Sequence, residues 1–166
     1  MKQMLLALSL VVLVACLVAG CGKSDEMKKI EAALNTEVMD KHDVIMKLVP
    51  ELDGLTTHIS AVMAKHDSLV KKYPALASGH TTADLVAAQE KITAAKAAMD
   101  AWMRGFKPYD PDAKHDGVLA GLNVQKDELI AMEKQFAEAR LAALDAIAKH
   151  EVAADMVIAN AGKKKH

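Results

Sequence analysis

Apolar residues recur at alternating steps of three and four along three long stretches of this chain. The first is Ile45, Leu48, Leu52, Leu55, Ile59, Val62, His66, Leu69, Tyr73, and the second is Leu85, Ala88, Ile92, Ala95, Met99, Trp102, Phe106. The third begins at His115 and passes through Val118, Leu122, Gln125, Leu129, Met132, Phe136, Ala139, Ala143, Ala146, His150 and Ala153 to Val157. Such spacing places one stripe along one side of a helix, the seam along which helices pack side by side. No segment alternates with period two for long enough to be a strand. The pattern predicts an all-α fold, an antiparallel three-helix bundle with long first and third helices and a shorter second.

Helix punctuation agrees with this division. Ser24 or Asp25 can cap the first helix, and Tyr73-Pro74 with Ser78-Gly79 ends it, because a residue before proline avoids the helical region. Thr81 or Thr82 can cap the second, which stops at Gly105 and Pro108. Asp110-Pro111-Asp112 is a start signal for the third, a capping carboxylate followed by a residue that lacks an amide. Gly162 closes it. Pro50 and Gly54 interrupt the first stretch, where an internal proline costs about 3 kcal/mol and a glycine about 1. Yet the register runs unbroken from Ile45 to Tyr73, which a true turn would reset. The expectation is one helix over about 24–73, kinked near Pro50; the alternative is a four-helix bundle with a turn at 50–55. Folding about turns near 77 and 108 sets Trp102 opposite residues 46–52 and near residue 114.

The N-terminus carries a different pattern. Lys2 precedes an apolar run from Met4 to Ala19, which ends in Val18-Ala19-Gly20-Cys21. This reads as a bacterial lipoprotein signal over residues 1–20, too short and too closely followed by small residues to be a spanning helix. Cys21 is the expected lipidated residue, opening a tether at 21–24. Cys16, after Leu13-Val14-Ala15, is the second candidate, but cleavage there leaves an apolar stub and a spare thiol. Each buried acyl methylene adds about 0.8 kcal/mol, so two or three chains hold a protein on a membrane. Gly22 rather than Asp follows Cys21, which points to the outer membrane. Lys23-Ser24-Asp25-Glu26 resembles acidic tags for surface export.

With Cys21 lipidated, neither a disulfide nor a thiolate metal site remains. The mature chain is long enough for one domain, the bundle at 25–162, followed by a basic tail at 163–166. Charge is balanced, with 21 basic against 22 acidic residues. That balance argues against nucleic acid, which needs a basic face.

Candidate chemistry lies at one end of the bundle, where three of the five aromatics, Trp102, Phe106 and Tyr109, fall within one turn region. Lys-His-Asp/Glu occurs four times, at Lys41, Lys65, Lys114 and Lys149, and His66, His115 and His150 lie on the seams. Met39, His42 and Met46 form one stripe of the first helix. Met99, Trp102 and Met103 share the face expected to lie against it, and His115 arrives at the same level. Thioethers, imidazoles and an indole suit a soft ion such as Cu⁺ or Ag⁺. The competing reading is structural: methionine fills irregular cores, and a half-buried histidine beside an aspartate is a satisfied polar group. A b-type haem is a third, with no Cys-X-X-Cys-His for covalent attachment.

Catalytic signatures are missing. The chain has no His-Glu-X-X-His, no Glu-X-X-His, no Gly-X-Ser-X-Gly and no phosphate-cradling glycine loop. The acid pairs Asp40/Asp43 and Asp110/Asp112 read as caps or solubilising groups. The expectation is a non-enzymatic, lipid-anchored envelope protein that binds or scaffolds, with a protein partner or a Cu⁺ ion as its ligand, or none.

Three segments carry a family resemblance: His42-Asp43 followed by Met46, the stretch from Ala98 to Phe106 with Asp100-Ala101-Trp102-Met103 inside it, and Leu122 with Gln125-Lys126. Over roughly residues 35–145 the chain resembles small bacterial lipoproteins of the kind labelled viral A-type inclusion protein. It departs from them at Gly121, where a tyrosine is usual, at Val124 in place of glutamate, and in a later proline. The resemblance implies an anchored helical bundle and the same Met/His/Trp cluster, and it implies no activity.

Overall fold

A computed structural model describes residues 25–73 and 81–163. The signal segment, Cys16, Cys21, Ser24, the Pro74–Gly79 turn signals and the tail from Lys164 lie outside the described residues. Every regular element among the described residues is helical: α1 at 25–46, α2 at Val49–Lys72, α3 at Ala83–Gly105 and α4 at His115–Lys163. None of these helices is long and apolar enough to cross a membrane.

The break between α1 and α2 follows from Pro50. Its ring nitrogen has no proton to give the Met46 carbonyl, and the ring would strike that oxygen. The chain yields two residues earlier, at Lys47-Leu48, where the Leu48 N–H donates to the Ile45 carbonyl three residues back at 2.9 Å. Helical bonding resumes when the Leu52 N–H donates to the Leu48 carbonyl at 3.0 Å. Pro50 then stands in the first turn of α2, where a missing amide costs nothing. Residues 50–55 are helical, so the expected turn of a four-helix arrangement is not there. The bend is a kink in one long first helix.

Two start signals behave differently from expectation. Thr82 is the N-cap of α3 without a side-chain bond, and the Asp84 carboxylate instead accepts the Leu85 N–H at 2.9 Å. Asp110-Pro111-Asp112 folds as a tight turn rather than opening α4. The Asp112 N–H donates to the Asp110 carboxylate at 2.9 Å and the Ala113 N–H to the Asp110 carbonyl at 3.3 Å, and the helix starts at His115. α4 is described as far as Lys163, one residue past Gly162.

The described chain forms two compact units, one of residues up to Asp40 with Lys107–Asp127, the other of Lys41–Phe106 with Glu128 onward. In the first unit Val38 and Leu122 are buried, and so is the carboxylate of Glu31. Lys126 pairs with Glu37 at 2.8 Å and Lys28 with Asp112 at 3.7 Å on its surface.

The second unit holds the larger core. Ile45, Leu52, Leu55, Ile59 and Val62 are buried from α1 and α2, and Leu85, Ala88, Ile92, Ala95, Met99 and Trp102 from α3. Leu129, Met132, Phe136, Ala139, Ala143 and Ala146 are buried from α4. Every one of these lies on a stripe that the 3–4 spacing marks; Ile147 is buried as well and lies one residue off it. Ion pairs rim the core, with Lys41 to Glu133 at 3.3 Å, His58 to Glu151 at 3.0 Å, and Glu51 to Arg140. In these pairs the partner numbers rise together, whereas Asp53 with Lys96 and His42 with Trp102 run in opposite directions.

Candidate functional site

Within the second unit the expected cluster reduces to His42, Met46, Met99, Trp102 and Met103. The His42 ring stacks on Trp102 with centroids 5.6 Å apart and 25° between planes, and Trp102 leans on Phe106 at 5.1 Å. The stack sits about one helical turn earlier on the first helix than the counted position at 46–52. Lys96 is likewise offset, pairing with Asp53, so the level is set by packing rather than by counting from a turn near 77. Asp43 receives the His42 Nδ1 at 3.0 Å, which orients the imidazole. Met99 is 1 % exposed and Trp102 9 %, and Met46 is half-buried. Met103 lies about 40° round α3 from Met99 but at the exposed edge of that face. At 100° per residue it lies about 100° round α3 from Trp102, and it is 39 % exposed. The Trp102 Nε1 is buried and has no hydrogen-bond partner among the described residues.

Met39 and His115 belong to the first unit. Met39 is half-buried there. His115 faces Glu31, its Nδ1 2.8 Å from a Glu31 oxygen, while the Tyr109 hydroxyl donates to the other oxygen at 3.3 Å. Glu31 is 0 % exposed. A buried carboxylate persists only when hydrogen-bonded or paired, and here it has both a phenol and an imidazole. Burial raises the Tyr109 pKa above 10.0, and the charge and hydrogen bond of Glu31 add to this, with Asp110 and Asp112 behind them.

Sequence reasoning missed Glu31, although a signal existed. Stepping back by sevens from Leu52 and Ile45 reaches Val38 and then Glu31, a charged side chain in a core position.

A second cluster lies near the far ends of α2 and α4, within the larger unit. The rings of His66 and His150 meet edge to face, with centroids 5.7 Å apart and 76° between planes. Asp84 accepts from the His150 Nε2 at 2.8 Å. Burial pushes the Asp84 carboxyl up, but the hydrogen bond and charge of His150, with the Leu85 N–H, outweigh it and hold the pKa below 3.8. His150 is thus partly buried against Asp84, and Asp67 stands 3.9 Å from the Nδ1 of the partly buried His66.

Among the described residues, no three His, Cys, Asp or Glu side chains gather into a metal-holding group. Comparison with protein-family models, with curated proteins and with solved structures yields no match.

Proposed function

We propose that this chain is a lipoprotein of the bacterial cell envelope, anchored through lipid on Cys21, whose helical part binds or scaffolds rather than catalyses. The observation that carries the anchor is Val18-Ala19-Gly20-Cys21 closing an apolar run behind a single lysine. The reading of the mature part as an antiparallel three-helix bundle draws support from the buried 3–4 stripes. It also draws on partner numbers that rise together between the first and last helices and run oppositely on α3. Outer-membrane sorting rests on Gly22 after Cys21. The partners are the membrane, through the lipid, and an envelope protein.

The anchor is tested by following incorporation of labelled palmitate and partition into the membrane fraction. Wild type and Cys16→Ser take up label; Cys21→Ser does not and leaves the membrane. Label retained by Cys21→Ser and lost by Cys16→Ser overturns the assignment.

A second reading, Cu⁺ binding, keeps one observation in its favour. His42 and Trp102 stack, and the buried thioether of Met99, a soft donor, stands one turn before Trp102 on α3. Met46 and Met103 are the further thioethers of the same unit, whereas Met39 and His115 belong to the other. The hydrogen bonds from His42 to Asp43 and from His115 to Glu31 favour the structural role, since each occupies a ring nitrogen internally. Titrating Cu⁺ under reductant while watching Trp102 fluorescence separates the readings: quenching that Met99→Leu abolishes supports the ion, and no quenching removes it.

A further inference from the structure

α4 carries two apolar stripes within the larger unit. One is the seam through Phe136, Ala139, Ala143 and Ala146, which is buried. The other runs through Ile130, Ala137, Leu141, Leu144, Ala148 and Val152, and at 100° per residue it lies on the opposite side of the helix. Its steps of three, four and seven are those of a packed seam. Yet all six residues are exposed, Leu141 to 62 % and Val152 to 59 %. The outer face of a helix in a globular protein is ordinarily polar, so a stripe of this kind marks a surface that something covers.

Its size says how firmly. With Met156 at its edge, the five larger side chains leave on the order of 500 Å² of apolar surface in water, within the range of functional patches on monomers. A standard interface takes about 800 Å² from each partner, so the stripe suits a modest, reversible association of one helix with one other.

The stripe is complementary to itself when two copies of α4 run antiparallel. About a twofold axis between residues 144 and 145, Leu141 meets Ala148 of the second copy, Ala137 meets Val152, and Ile130 meets Ala159. Each contact sets a large side chain against a small one, which lets the helices approach closely. Lys134 and Asp155 interrupt the stripe near its two ends, and the same axis brings them together, in two equivalent pairs as an isologous interface requires. Both are exposed, and Lys134 holds a loose 3.8 Å pair with Glu138 of its own helix. Asp145 comes near its counterpart at the axis, where Lys149 of the same helix neutralises it. A parallel pair would set lysine on lysine at 134 and aspartate on aspartate at 155, and like charges facing each other destabilise. The charges flanking the stripe on the α2 side are occupied within the chain, Glu133 by Lys41, Arg140 by Glu51 and Glu151 by His58.

We propose that α4 is a dimerisation helix, pairing antiparallel with α4 of a second copy of this chain through the stripe from Ile130 to Ala159. The proposal gives the binding-or-scaffolding reading a partner and holds with or without lipid on Cys21, which palmitate incorporation tests separately.

The test uses the full chain, extracted in non-ionic detergent, with sedimentation equilibrium measuring self-association. The expected result is a reversible monomer–dimer equilibrium with Kd on the order of micromolar. Leu141→Gln together with Leu144→Gln weakens it at least tenfold, whereas Val44→Gln, at an exposed apolar position on α1, leaves it unchanged. Lys134→Glu and Asp155→Lys each weaken it about three- to tenfold, and the two in one chain restore it. Circular dichroism checks that each variant keeps its helix; should the glutamine variant unfold, the charge reversals decide. A chain that stays monomeric at every concentration overturns the proposal. Binding of that monomer to phosphatidylglycerol vesicles, lost in the glutamine variant, would assign the stripe to a lipid surface instead. A dimer indifferent to the glutamine substitutions, or one whose affinity the charge reversals leave unchanged, overturns it as well.

Discussion

Glu31 and His115 stand 84 residues apart in sequence and share a 2.8 Å contact between the Glu31 carboxylate and the His115 Nδ1. His66 and His150, also 84 apart, meet through their rings in the other unit. The seams repeat by sevens from Glu31 through Val38, Ile45, Leu52 and Ile59 to His66, and from His115 through Leu122, Leu129, Phe136 and Ala143 to His150. One heptad register therefore has apolar residues through its middle positions and ionisable residues at both ends. Polar groups at chosen seam positions specify register in packed helices at a cost in stability, a role the Glu31–His115 contact fits.

Removing the Glu31 carboxylate leaves the Tyr109 hydroxyl and the His115 imidazole without their buried acceptor. Glu31→Ala is expected to lose about 2–4 kcal/mol of stability and Glu31→Gln, which keeps one acceptor oxygen, about 1–2 kcal/mol. Urea denaturation followed by circular dichroism reads both. Equal midpoints for wild type and Glu31→Ala remove the role assigned to this carboxylate.

The two methionines one turn apart on α3 separate core from surface. Met99→Ala opens a cavity and is expected to cost about 2–5 kcal/mol. Met103→Ala, at an exposed position, stays within about 0.5 kcal/mol of wild type. Thermal unfolding of the metal-free protein checks the pair, and similar losses from both place Met103 inside after all.

Gly54 and Gly121 lie within helices, and a Cβ built on either meets nothing within 4 Å. Each Gly→Ala change is expected to stabilise by about 0.5–1 kcal/mol through backbone entropy alone. Distant sites add, so the double variant gains about 1–2 kcal/mol. A destabilised alanine variant at either position contradicts the packing described.

Tyr109 gives a pH test whose sign is set by its environment. Burial, and then the charge and hydrogen bond of Glu31, raise its folded pKa above the ordinary 10.0. Stability from this group is present in full below pH 10.0 and is lost as pH rises through the folded value. In a Tyr73→Phe background, phenolate absorbance reports Tyr109 alone; its titration is expected above that of the urea-unfolded chain. Coincident curves would falsify the contact with Glu31.

Much of the architecture was legible because it depends on local periodicity. Leu52, Ile59, Leu85, Ile92, Leu129 and Phe136 are buried where a 3–4 spacing marks them. The helix ends were less legible. Asp110-Pro111-Asp112 satisfies both a cap and a tight turn, and the choice between them rests on contacts made elsewhere, since Tyr109 and His115 on either side both reach Glu31. The candidate cluster was legible only in part. His42 against Trp102 follows from stripe and order, whereas the exposure of Met103 depends on how far α3 is rotated about its axis, which spacing alone leaves free.

The sequence by itself determined the helices and their buried faces, because each is written in residues a few positions apart. Only the tertiary structure decided that a glutamate in the heptad register is buried and which carboxylate each histidine faces. Those outcomes turn on the rotation and level of neighbouring helices, and side chains 66 to 93 residues apart set them. A charge costs too much to bury alone, so its partner has to be brought from a distant stretch of chain, and local pattern holds no record of that distance.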